Sequence, residues 1–135
     1  MALDLTPLLN AVASLERALD RHHREPADEE VRDSVIQRFE FTYDLSHKML
    51  RRVLAEILSN VEELSQMSFP TLIRTGWEHG LVPSSWPVWD RFRQLRNITS
   101  HTYDGAKAIA VAAQVPEFLD EVRELSRRLQ ERVRA

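Results

Sequence analysis

A chain of 135 residues with 43% apolar content has enough material for one hydrophobic core, so a single domain over residues 1–135 is expected. The absence of cysteine excludes disulfides, thiolate catalysis and cysteine-based zinc sites. A net charge of −3 provides no global basic surface, so any contact with RNA must come from a local patch.

Only three Gly and six Pro leave little turn chemistry for a sheet protein, whereas Leu, Ala, Arg and Glu favour helices. The fold expected is all-α. Met1 to Asn10 has neither a basic region nor an apolar run of signal length. No segment approaches the roughly 20 apolar residues that a membrane span needs. A cytoplasmic protein without membrane contact is expected.

The first helix is expected to start near Asp4 to Pro7, with Thr6 as N-cap and Pro7 at the first helical position. Leu5, Leu8, Leu9, Val12, Leu15 and Leu19 recur along it at helical spacing. His22, His23 and Arg24 suit the negative end of its dipole, and Pro26 follows. The second helix should run from about Asp28 to Leu58, with Asp28, Glu29 and Glu30 favouring its start. Projected at about 100° per residue, Ile36, Phe39, Tyr43, Leu50, Leu54 and Ile57 form one apolar stripe. Phe41, Leu45 and Met49 form a second stripe on nearly the opposite side, which predicts packing against two layers, the bundle and a partner subunit. Between them lie Asp33, Gln37, Glu40, Asp44, His47 and Arg51, a polar stripe about 80° wide. It reads either as a partly buried network or as a solvated face laced with ion pairs.

A short helix follows from about Ser68, its N-cap, to His79, with Gly80 as the stop. The next starts near Ser85, places Val88, Phe92, Leu95 and Thr99 on one face, and ends near His101 because Asp104-Gly105 reads as a turn. The last runs from about Asp104 to the C-terminus, with a kink or restart expected at Pro116. Val115, Phe118, Val122, Leu125, Leu129 and Val133 are its core stripe. The sum is an up-and-down four-helix bundle with an extra short helix.

The segment Arg96-Asn97-Ile98-Thr99-Ser100-His101-Thr102-Tyr103-Asp104 gathers a cation, an amide, hydroxyls, an imidazole and a phenol at one helix end, with Arg91 and Arg93 just upstream. Such a patch can hold a phosphate. His101 can move a proton near neutral pH, and Arg96 can stabilise charge developing on phosphorus oxygens. Asn97 can orient His101 or a phosphate oxygen, and Tyr103 can stack on a base or carry a modification. Arg96 and His101 are about 140° apart on an ideal helix, so they meet only if the helix breaks near Ser100 or if two subunits pool their side chains. The same segment also reads as a helix C-terminus capped by Arg and His.

Arg-x4-His, with Asn after the Arg and Tyr two residues after the His, resembles the signature of the HEPN superfamily. The closest likeness is to its HepT-like, nucleotidyltransferase substrate-binding branch. A second match is Asp33-Ser34-Val35-Ile36-Gln37-Arg38-Phe39-Glu40-Phe41-Thr42-Tyr43-Asp44-Leu45. The resemblance covers roughly Leu3 to Leu129. It implies a helical-bundle homodimer that binds a cognate single-domain nucleotidyltransferase. For members that act as metal-independent ribonuclease toxins, it implies catalysis by Arg96 and His101, with Asn97 as a helper, in a cleft at the dimer interface. It further implies neutralisation through transfer of AMP by the partner to Tyr103, whose added charge and bulk would block RNA. Glu40, Asp44 and Gln37 become the supporting polar face. Position 47 is His where relatives often carry a large aromatic.

Trp77, Trp86 and Trp89 are expected as core or interface anchors. His22, His23 and His79 are expected at helix C-termini. No zinc-protease His pair, phosphate-cradling Gly loop or nucleophile elbow is present, so neither a metal nor a cofactor is expected, and the transferase chemistry must lie in another protein. Three functions remain open: a ribonuclease toxin neutralised at Tyr103, a non-catalytic subunit that binds substrate or nucleotide for the transferase, and a plain helical dimerisation module.

Overall fold

Leu8, Val12, Leu15 and Leu19 are all buried along helix α1 (Thr6–Arg24), as their spacing requires. The computed structural model describes residues 3–134. It continues with α2 (Glu29–Leu58), α3 (Val61–Gln66), α4 (Phe69–Glu78), α5 (Trp86–Ile98), a 3-10 turn (Thr99–His101) and α6 (Gly105–Arg134). No strand occurs among the described residues. Helices α1, α2 and α6 pack against one another, and α5 closes over α6. The architecture is the all-α bundle expected, with one short helix more than the sequence suggested.

The helix ends follow side-chain chemistry. Asp28 caps α2 by accepting from the Glu30 and Val31 N–H groups at 2.9 and 3.2 Å. Ser68 caps α4, and Gly80 stops it with φ +74°, a left-handed conformation that suits glycine. At the start of α1 the expectation is corrected by one step: Thr6 is not the cap, because the stronger acceptor, the Asp4 carboxylate, takes the Thr6 N–H at 2.9 Å. The unexpected α3 begins at Asn60, which accepts from the Glu63 N–H while donating to the Glu63 carboxylate. That reciprocal pair resembles a capping box. At Pro116 the last helix neither stops nor restarts. Buried Val115 and Phe118 hold the backbone on either side, and the exposed ring costs one hydrogen bond.

An aromatic core fixes α5 on the bundle. Phe118 of α6 meets Phe39 of α2 edge-on at 4.9 Å and Phe92 of α5 at 5.3 Å, and Trp89 meets Phe92 at 5.3 Å. Glu121, buried in α6, accepts from the Ser84 N–H (3.0 Å), the Ser84 hydroxyl (2.7 Å) and the Trp89 indole N–H (2.9 Å). These bonds satisfy a buried carboxylate and set where α5 begins. Of the three tryptophans, Trp89 is buried and Trp86 is half-buried against Phe69, but Trp77 is 51% exposed and takes no part in the core.

Helix α2 departs from its two-stripe projection. Ile36, Phe39, Tyr43, Leu50 and Leu54 are buried as expected, and so is Met49 of the second stripe. Phe41 of that stripe is 61% exposed, and Leu45 is half-buried. The polar stripe divides three ways. Asp33 and Gln37 face solvent, Glu40 and Asp44 reach α5, and His47 and Arg51 serve α3. Arg51 donates to the carbonyls of Leu64 and Met67, the latter at 2.9 Å, and to His47 Nε2 at 2.9 Å.

Candidate functional site

Helix α5 ends where hydroxyl side chains crowd its last turn. Thr99 Oγ1 donates to the Arg96 carbonyl at 2.6 Å, Ser100 Oγ to the Asn97 carbonyl at 3.0 Å, and Thr102 Oγ1 to the Thr99 carbonyl at 3.0 Å. Hydroxyls bonded to carbonyls three residues back compete with the helical ladder, and the chain tightens into the 3-10 turn Thr99–His101. The Asp104 carboxylate then accepts from the Ala106 N–H at 3.0 Å and α6 begins. The break expected near Ser100 therefore exists.

One helical turn after buried Phe92, Arg96 lies over the polar stripe of α2. Its Nε and Nη2 donate to the two Asp44 carboxylate oxygens at 3.2 and 3.1 Å. Its Nη1 donates to Glu40 Oε2 at 3.0 Å and to Thr99 Oγ1 at 3.1 Å. Guanidinium carries five N–H groups, so four are engaged and one remains. The hydrogen bonds that Arg96 donates to Asp44 raise its pKa above the ordinary value, against partial desolvation and with further help from the charges of Asp44 and Glu40. Arg96 is held as a cation in a bidentate clamp.

His101, Asn97 and Tyr103 are exposed, and Tyr103 is 88% so. The His101 and Tyr103 rings lie edge to face with centroids 6.5 Å apart. Among the described residues, no hydrogen bond joins Arg96 to His101, so the helix break alone does not bring them together within one protomer. Nor is Gln37 drawn into the Arg96 cluster. No group of three or more His, Asp or Glu among the described residues could hold a metal ion.

Two neighbouring groups have settled protonation states. Burial pushes the Tyr43 phenol up to about 12. Burial, and then the Arg51 charge, push His47 down to about 4, so its Nε2 is free to accept from Arg51. Sequence reasoning placed Thr99 on the core face of α5 and missed that its hydroxyl also braces Arg96. The three-residue spacing on one helix face was the available signal.

A sequence profile described as nucleotidyltransferase substrate binding protein like matches residues 3–131. A Haemophilus influenzae protein named probable ribonuclease HepT is 37% identical over 138 aligned residues, covering 96% of this chain and 94% of that protein. A solved Haemophilus influenzae structure, described as revealing the fold of a substrate binding domain of a nucleotidyltransferase, is similar with a TM-score of 0.88. It is 33% identical and aligns over 94% of this chain and 99% of that one.

Proposed function

Since the chain belongs to the nucleotidyltransferase substrate binding protein like family, in its HepT-like branch, we propose that it is the ribonuclease half of a toxin–antitoxin pair with a nucleotidyltransferase. The observation that carries this reading is the His101–Tyr103 pair, presented to solvent where the 3-10 turn after the clamped Arg96 ends. An exposed imidazole is open to RNA, and a phenol 6.5 Å from it is open to an enzyme that modifies it.

The chemistry needs two copies. One His101 takes the proton of a ribose 2′-hydroxyl, the 2′-oxygen attacks phosphorus, and the second copy's imidazole protonates the departing 5′-oxygen. The products are a 2′,3′-cyclic phosphate and a 5′-hydroxyl. Arg96 meets the charge that builds on the phosphoryl oxygens, through its remaining N–H and through those that Asp44 yields, while Asn97 orients the phosphate. Exposed Phe41, Ile98 and Ile109 support pairing of two copies, for Phe41 adjoins Glu40 and Ile98 lies two residues past Arg96. Transfer of AMP from a nucleoside triphosphate to the Tyr103 oxygen, with release of pyrophosphate, places a charged, bulky group beside His101 and silences the site.

The deciding experiment is RNA cleavage by purified protein in EDTA, wild type beside His101→Ala. Cleavage by wild type alone, leaving 2′,3′-cyclic ends, is expected. A second reading, a non-catalytic subunit that binds substrate or nucleotide for the transferase, is favoured by the four Arg96 donors already engaged. It prevails if wild type with Tyr103 shown by mass to be unmodified cleaves none of several RNAs, and the transferase needs this chain to label a third molecule.

A further inference from the structure

The groove between α1 and α2 holds a second collection of cations, apart from the motif. Arg17 and Arg21 stand one turn apart on α1, and Ser34 and Arg38 one turn apart on α2, around a cleft of about 380 Å³. Buried Ala18 and Val31 form its floor. The charges divide along the groove. At one end Arg21 is balanced, paired with Glu25 at 2.9 Å and further held by the charge of Glu30. Arg17, Ser34 and Arg38 line the rest of the cleft.

Among the described residues six arginines are paired with a carboxylate, Arg21 being one. The others are Arg91, Arg96, Arg123, Arg127 and Arg128. Among the described residues, no acid lies within ion-pairing distance of Arg17 or Arg38. Arg38 is nonetheless ordered, because its Nη1 donates to the Ser14 carbonyl at 2.8 Å across the helix interface. That bond leaves the rest of a half-buried guanidinium uncommitted beside a second guanidinium and a hydroxyl, the donor set that suits tetrahedral oxyanions. Ser34 and Arg38 lie four residues apart, and Arg38 and Glu40 point to opposite sides of α2, about 200° apart. The cleft is therefore distinct from the Arg96 cluster.

We infer that the Arg17–Ser34–Arg38 end of this groove binds a phosphoryl group, carried either by a free nucleotide or by an RNA strand. The inference does not depend on whether His101 cleaves RNA. Two cations and a hydroxyl match a terminal phosphate, and the apolar floor accommodates the attached sugar.

Nitrogen–proton correlation spectra of the full chain would test it at constant ionic strength. The probes are inorganic phosphate, ADP, and a short oligoribonucleotide with and without a 5′-phosphate. Saturable shifts at Arg17, Ser34 and Arg38 are expected. Affinity should fall about tenfold in Arg17→Gln, whose exposed side chain leaves the packing intact. It should fall likewise in Arg38→Gln, and be unchanged in Arg134→Gln. Tighter binding of ADP than of the oligonucleotide assigns a free nucleotide, and the reverse order assigns a strand; either supports the inference. No saturable shift with any probe, or undiminished affinity in a folded Arg17→Gln protein, overturns it.

Discussion

At the residue scale, the central fact is that Arg96 is occupied. Asp44, the more exposed of its two acids, competes for the donors that a phosphate would use, while Glu40 and Thr99 hold the guanidinium from the more sheltered side. Removing the Asp44 charge should therefore favour an anion on Arg96. Asp44→Asn is expected to bind a non-cleavable 2′-deoxy oligonucleotide more tightly, by up to about fivefold, the range of an exposed ion pair. Fluorescence anisotropy at fixed salt would measure it, and weaker binding would mean that Asp44 positions Arg96 and does not oppose the ligand. Arg96, His101, Asn97 and Tyr103 could be named from the sequence as candidates only, while Glu40 and Asp44, named from the polar stripe, do meet Arg96. Which acid takes which nitrogen was not legible, because the pairs span 52 and 56 residues of chain.

At the element scale, the short helices α3 and α4 depend on close approach and on one clamp. A Cβ at Gly76 would lie 2.6 Å from Val82 Cγ2 and 3.1 Å from Leu50 Cδ1. Val82 is β-branched and buried, so it has little freedom to give way. Gly76→Ala is expected to cost about 1–3 kcal/mol, read as a lower urea midpoint. The clamp is Arg51, seated on His47 and on the Leu64 and Met67 carbonyls at the end of α3. An imidazole that titrates at about 4 in the folded chain and near 6.5 when free takes its proton first in the unfolded state. Its contribution is complete above about 6.5 and is lost as pH falls toward 4. Urea unfolding between pH 7 and 4 should show this decline, and His47→Phe should flatten it relative to wild type. A parallel decline in both proteins would assign the loss to carboxylates alone.

On the scale of the whole molecule, one buried cluster runs from Leu5 of the N-terminal segment to Leu129 of α6, so the six helices share a core. Large apolar side chains left outside it include Phe41, Ile98 and Ile109 on α2, α5 and α6. Pairing of two copies through this surface would cover them and bring two His101 turns toward one cleft. Phe41→Glu is expected to shift the protein from dimer toward monomer in light scattering and, under the proposed mechanism, to lose cleavage with the dimer. A folded Phe41→Glu dimer would place the interface elsewhere. Among the described residues, no helix is long and apolar enough to cross a membrane.

The sequence by itself determined the helical class, most helix ends, the inner faces of α1, α2 and α6, and the candidate chemistry of Arg96 to Tyr103. These follow from local rules: a 3.6-residue period, caps that act within three or four residues, and a motif read in order. Asn60 and Glu63 obeyed the same rules, so α3 was legible in principle. Only the tertiary structure decided that Phe41 stays exposed, that Gly76 must lack a side chain, that Glu121 is buried under Ser84 and Trp89, and that Arg17 and Arg38 line one cleft. Each depends on the register and separation of helices distant in sequence. That geometry is set by how side chains interdigitate across the whole core, which no local pattern encodes.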